Sequence, residues 1–248
     1  MDSKKLMLIV LLDLSKAFDS IDHLLLLAKL RTLGVFETSL EWFRSYLLER
    51  KQYVRMGQEV SSLRSIDHGV PQGSILGPAL FNIYINDLPT VPEIGSLESY
   101  VDDSKLFLSF PVKDADVVAL QITEDLKKIA AWCCHNSLLI NPEKTKVLLL
   151  GTHQMRKKVP DGFCVTLLGK ELSPVPSAND LGVQVDETLT YDEHITNTVS
   201  ACIARLCQIN RVKYIFKTQT LLNIINALVF SKLYYCSSVW SNTSKKNI

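Results

Sequence analysis

The chain has 248 residues, 47% of them apolar, which is enough for one domain or two small ones with a packed core and excludes general disorder. Lys and Arg (27) nearly balance Asp and Glu (26), so the net charge of +1 points to no partner. Its distribution is more informative: positions 195–248 hold seven basic residues and no acidic one, leaving −6 on the first 194.

Six cysteines with no Cys-x-x-Cys pair exclude a disulfide scaffold and point to reduced thiols. No stretch reaches the roughly 20 apolar residues that span a bilayer. Lys4 and Lys5 ahead of a short apolar run imitate a leader, but Asp13 ends the run and no small-residue cleavage site follows. A reducing intracellular compartment is the expectation.

In chain order, residues 6–12 are seven apolar residues bounded by charge, the pattern of a buried strand. Residues 21–33 and 38–48 predict helices with Gly34 as the stop between them, and 52–56 a short strand. Residues 69–77 carry three glycines and a proline and open as a loop. Leu76, Leu80, Ile83 and Tyr84 then follow at helical spacing. Residues 97–101 and 105–110 predict two strands whose turn carries Asp102 and Asp103. Residues 115–132 form an amphipathic helix ending near Asn136 or Ser137. Asn141-Pro142 is a turn, 146–150 a strand, and short strands continue to Val185. Beyond a boundary near 186–193, Ile195, Val199, Cys202, Ile203 and Leu206 share one helical face, and Leu221, Ile225, Leu228 and Val229 another.

Three carboxylates stand where strands end. If the strands before Asp13 and after Asp102-Asp103 are neighbours, the acids converge at one sheet edge. Such a cluster suits Mg2+, a hard cation that takes oxygen ligands. Two such ions roughly 4 Å apart activate a 3′-hydroxyl and stabilise a departing pyrophosphate. With 15 Asp in the chain, one adjacent pair is expected by chance, so a solvated turn is the competing reading. Gly69-Val70-Pro71-Gln72-Gly73-Ser74-Ile75-Leu76-Gly77-Pro78 lets backbone approach a base or sugar closely, or simply forms a turn capped by Ser74. No Gly-Lys-Ser/Thr follows, so it is not a Walker loop.

The combination is more specific than its parts. Leu12-Asp13-Leu14-Ser15-Lys16-Ala17-Phe18-Asp19 with nearby His23, the glycine loop, Asn82-Ile83-Tyr84-Ile85-Asn86-Asp87-Leu88 and Tyr100-Val101-Asp102-Asp103 occur in order. Asn141-Pro142-Glu143-Lys144-Thr145-Lys146, Asp180-Leu181-Gly182-Val183 and the segment from Tyr235-Cys236 to Val239-Trp240 follow. Over nearly its full length the chain resembles the reverse transcriptases of non-LTR (LINE-type, jockey-like) retrotransposons.

That resemblance implies an α+β fold: a palm of antiparallel sheet backed by helices over 1–188, with partial fingers, then a basic helical thumb over 189–248. It implies an RNA-directed DNA polymerase that extends a DNA primer on an RNA template with dNTPs and two Mg2+ ions, Mn2+ serving in their place. It makes Asp13, Asp102 and Asp103 the catalytic metal ligands and Phe18 the steric gate against a ribose 2′-hydroxyl. Gln72, Gly73 and Tyr100 would line the nucleotide site. Lys144 would donate a proton to pyrophosphate, and Leu181-Gly182 would grip the primer. Arg205, Arg211, Lys213 and Lys217, at spacings compatible with one helix face, would follow phosphates. Each has a plainer reading: a core aromatic for Phe18, a surface lysine for Lys144, an ordinary strand at 181–182, a solvated basic face for the thumb. The implied location is the nucleus or a cytoplasmic ribonucleoprotein, not a membrane and not secretion.

The chain departs from the family in starting twelve residues before Asp13, without the upstream fingers and endonuclease of a full-length element, and in carrying Val101 where alanine is commoner. A truncated remnant that binds nucleic acid without polymerising is therefore the second reading, and another palm-fold enzyme such as a nucleotidyl cyclase, against which the glycine loop speaks, the third.

Overall fold

In the computed structural model, the described residues are 5–71 and 73–241. The first strand, β1 (Lys5–Leu12), leads into the two-residue β2 (Leu14–Ser15). Two helices follow, α1 (His23–Thr32) and α2 (Glu37–Leu47). Asp22 caps α1 by accepting from Leu25 N at 2.9 Å. The helix closes in a Schellman motif at Gly34, with Val35 N donating to Leu30 O and Gly34 N to Arg31 O, both at 3.1 Å.

The single short strand expected at 52–56 is instead two minimal hairpins. β3 (Lys51–Gln52) pairs with β6 (Arg64–Ser65), and β4 (Arg55–Met56) pairs with β5 (Glu59–Val60). Gly57, in the left-handed region at φ +64°, turns the inner one. Next come α3 (Leu76–Tyr84), β7 (Ser96–Tyr100), β8 (Asp103–Pro111), and the long α4 (Ala115–His135), which ends at Asn136 as its sequence predicts.

β9 (Leu139–Ile140) pairs with β2, and β10 (Lys146–Leu150) joins the main sheet. A short α5 (His153–Arg156) and two hairpins follow, β11 (Val165–Leu167) with β12 (Lys170–Leu172) and β13 (Ser177–Asp180) with β14 (Val183–Asp186). Four helices end the described residues: α6 (Asp192–Val212), α7 (Thr218–Ile225), then, through a π turn at Asn226–Phe230, α8 (Ser231–Tyr234) and α9 (Ser237–Trp240).

The central sheet has strand order β10-β1-β8-β7, and all its pairings are antiparallel. Both faces of β1 are covered, which explains its unbroken apolar run. Leu6, Leu8, Val10 and Leu12 meet the core built by Leu26 and Leu30 of α1, Phe81 and Tyr84 of α3, and Ile122, Leu126 and Ile129 of α4. Met7, Ile9 and Leu11 face the other way, toward Leu148, Leu150 and Ala178. The β13–β14 hairpin therefore sits on the second face.

The C-terminal helices have their own small core of Cys202, Ile209 and Val229, with Leu221, Ile225 and Leu233 around it. Val199, Ile203 and Leu206 stay exposed, because α6 buries the stripe Thr198, Cys202 and Ile209 against the segment 226–234. Among the described residues no helix is long and apolar enough to cross a membrane.

Candidate active site

Asp13 stands between β1 and β2, and its backbone is held from the side of β10. Its carbonyl accepts from Asn141 N at 2.8 Å, and its N–H donates to Thr145 Oγ1 at 3.5 Å. Thr145 is buried and donates in turn to Asn141 O at 2.9 Å. The turn at 141–145 is thus a clamp on Asp13. On the other side, the β1–β8 register ends at Leu12↔Ser104, so Asp13 follows the last paired residue of β1 and Asp103 precedes the last paired residue of β8.

Asp102 lies in the two-residue turn between Tyr100 and Asp103, beside Val101 at φ +57°. A β-branched residue in the left-handed region costs about 1–2 kcal/mol, so this turn is held against a local preference. Burial first, then the charges of Asp102, Asp180 and Asp13, hold the Asp103 carboxyl above its ordinary range, with Lys105 opposing them. Lys105 Nζ lies 3.1 Å from Asp180 Oδ2 and so ties the β13–β14 hairpin to β8. Tyr100, Asp103, Lys105, Asp180 and Leu181 line a cavity of about 40 Å3.

Hard carboxylate oxygens under mutual repulsion are the donor set that Mg2+ takes, and a cation relieves that repulsion. The donor chemistry therefore fits the expected metal. The convergence is looser than the sequence suggests: among the described residues, no three Asp, Glu, His or Cys side chains close around one point. Lys105 engages Asp180.

The glycine loop packs against the segment that carries Phe18. Gly69, at φ +86°, has no room for a side chain: a Cβ would sit 3.0 Å from the Cα and O of Asp19. Phe18 is half-buried, and its ring stacks on Phe81 with centroids 4.8 Å apart and planes 25° from parallel. Phe18, Pro71, Gly73 and Ser74 line an apolar cavity of about 280 Å3. Gln72 lies outside the described residues. A larger, polar cavity of about 530 Å3 adjoins the same loop, lined by Arg50, Gln52, His68 and Pro71 among others. The guanidinium of Arg50 stacks on Tyr46 at 5.8 Å, and Tyr46 stacks on the exposed Trp42.

Leu181 and Gly182 form the β13–β14 turn, both at positive φ (+47° and +83°), the geometry of a type I′ hairpin. Tyr235 covers this turn. Its hydroxyl donates to Leu181 O at 2.6 Å, and a Cβ on Gly182 would lie 3.3 Å from its ring. Lys144 is exposed on the clamp turn behind Asp13.

The basic residues do not share one helix face. Arg205 and Arg211 are on α6, where six residues at 100° each put them about 120° apart around the axis. Lys213 opens the 3₁₀ turn Lys213–Ile215, over the Tyr214 ring at 5.1 Å, and Lys217 immediately precedes α7. The extended backbone at Phe216 and Lys217 resets the chain direction between them.

Three residues found here were not singled out as site residues from the sequence: Lys105, Asp180 and Arg50. Lys105 lies two residues from Asp103 on β8, whereas Asp180 is brought there by tertiary pairing alone. Arg50 carries one local signal, an arginine four residues after Tyr46 at the end of an aromatic-rich helix.

Residues 1–189 match the family described as reverse transcriptase (RNA-dependent DNA polymerase). Among relatives, a probable RNA-directed DNA polymerase from transposon BS of Drosophila melanogaster is 31% identical over 84% of this chain and 23% of its own length. The RNA-directed DNA polymerase from mobile element jockey of the same fly is 28% identical over the whole chain and 27% of its own length. The chain thus spans about a quarter of the curated relatives it matches. Among solved structures, telomerase from Candida tropicalis, in complex with a fragment of telomeric RNA, aligns over 99% of this chain and 40% of its own with a TM-score of 0.54 at 11% identity, which supports the mixed helix-and-sheet fold. The chain belongs to the reverse transcriptase family, in its non-LTR retrotransposon branch.

Proposed function

We propose that this chain forms the palm and thumb of an RNA-directed DNA polymerase, which adds deoxynucleotides to the 3′-hydroxyl of a DNA primer on an RNA template. What supports this reading is that the pairing of β1 with β8 ends at Leu12↔Ser104, next to Asp13 and Asp103, with Asp102 in the adjoining turn and the charges of Asp13 and Asp102 both acting on Asp103. These three carboxylates would hold two Mg2+ ions, or Mn2+. When bound, such ions supply the positive charge that activates the attacking hydroxyl and steadies the departing pyrophosphate.

The remaining residues bind and orient. The Phe18 ring, braced by Phe81, lies under the sugar and excludes a 2′-hydroxyl. Gly73 lines the same cavity and lets backbone approach the nucleotide. Tyr100 stands beside Asp103. The rigid Leu181-Gly182 turn holds the primer end, and Lys144 delivers a proton to pyrophosphate. Arg205, Arg211, Lys213 and Lys217 contact backbone phosphates from separate segments of a thumb that begins near 189. Arg50, Gln52 and His68 line the polar cavity through which the template strand passes, with Trp42 and Tyr46 as a stacking surface.

Primer extension on poly(rA)·oligo(dT) with Mg2+, using the purified chain, tests this reading. Asp102→Ala and Asp103→Ala are each expected to abolish extension while hybrid binding persists. Activity that survives both substitutions refutes the metal assignment. Hybrid binding by the unaltered chain without extension would leave a nucleic-acid-binding remnant.

A further inference from the structure

The loop at 69–71 and the segment at 18–23 run side by side and are tied at three points. Gly69 N donates to Ile21 O at 2.7 Å, and Val70 N donates to Phe18 O at 3.0 Å. The third tie is a side chain, His23, whose Nε2 lies 2.6 Å from Gly69 O. A carbonyl oxygen only accepts, so Nε2 carries the proton. Next to these ties, Asp22 and His68 form a β-bridge, and their side chains approach to 3.9 Å.

His23 is 2% exposed, and its Nδ1 has no hydrogen-bond partner among the described residues. Burying an unpaired polar nitrogen costs free energy that an apolar ring would not. Helix α1 does not need the imidazole, since its N-terminus is already capped by Asp22. What the imidazole adds is the bond to Gly69 O. That bond, with the one from Val70 N to Phe18 O, spans the two walls of the apolar cavity: Phe18 on one side, Pro71 and Gly73 on the other.

We propose that His23 is a positioning residue for sugar selection: by holding Gly69 against the 18–23 segment, it fixes the gap between the Phe18 ring and the glycine loop. The inference rests on the polymerase reading and adds a residue that touches neither substrate nor metal. A loosened gap admits the larger ribose while leaving the carboxylates in place.

The test compares three substitutions in single-nucleotide primer extension with dNTPs and rNTPs. The amide nitrogen of glutamine reaches the position of Nε2, whereas that of asparagine reaches only Nδ1. His23→Phe and His23→Asn are expected to lower the preference for dNTP over rNTP about tenfold, mainly through a lower KM for rNTP, with His23→Gln close to the unaltered chain. Equal preference in His23→Gln and His23→Asn overturns the proposal, even if His23→Phe fails to fold. A wild-type chain that extends no primer refutes the polymerase reading instead. The tie itself is then decided by hydrogen exchange at the Gly69 and Val70 amides: faster exchange in His23→Asn than in His23→Gln upholds it, and equal exchange removes it.

Discussion

Asp186 ends β14 and organises the passage into α6. Its Oδ1 accepts from Thr188 N at 3.0 Å, Thr188 Oγ1 at 2.7 Å and Thr190 N at 3.1 Å, and its Oδ2 accepts from Tyr191 N at 2.5 Å. Asp186→Ala removes all four. Hydrogen bonds to a charged group contribute about 1.5–3 kcal/mol when buried, but this carboxylate is only half-buried, so a screened value of about 0.5 kcal/mol each is appropriate. The expected loss is then about 2 kcal/mol, or roughly 4–8 °C in melting temperature for a chain of this size. Asp186→Asn keeps the three bonds to Oδ1 and should retain more than half of that stability.

The effect depends on pH in a defined direction. Burial pushes the Asp186 carboxyl up, but the hydrogen bonds from Thr188, Thr190 and Tyr191 outweigh it and hold the folded-state pKa below the ordinary value. Its contribution is therefore present at neutral pH and lost as pH falls through the folded value, below about 4. Urea unfolding at pH 7 and at pH 3 measures both claims. The gap between wild type and Asp186→Ala should narrow in acid. A gap under about 0.5 kcal/mol at pH 7, or Asp186→Asn as unstable as Asp186→Ala, would refute the reasoning.

Phe81 is fully buried beneath Phe18, so Phe81→Ala should cost about 3–5 kcal/mol in the same assay; a cost below 1 would show that the site collapses around the void. Phe18→Ala should raise rNTP incorporation at least about tenfold with dNTP incorporation retained, and unchanged discrimination removes Phe18 from the gate. Arg205→Ala with Arg211→Ala should lower the slope of log K against log salt for hybrid binding by about 2, and an unchanged slope would place those side chains away from phosphate.

The sequence made some features plain and concealed others for physical reasons. β1 was legible because it is apolar on both faces and bounded by charge, and α4 because a long amphipathic period meets a clear stop at Asn136. The acids at 13, 102 and 103 were legible as strand ends. The ion pair of Lys105 with Asp180 was not, since two residues 75 apart meet only through the fold. The β3–β6 region read as one strand because its pieces are two residues long, below the length at which alternation can be seen. In α6 the apolar periodicity is real but exceeds what its neighbours cover. Val199, Ile203 and Leu206 carry the period without being buried, and sequence alone does not say which of two adjacent stripes finds a partner.

The alternation along β1 also limits how the gene can change in length. Deleting one residue between Lys5 and Asp13 would swing the carboxylate to the side where Leu12 now packs, and deleting two would restore the side but draw it back by about 7 Å, away from Asp103. Insertions and deletions there are incompatible with the site at any size, whereas the open bend at Gly57 can lengthen or shorten with little consequence for it.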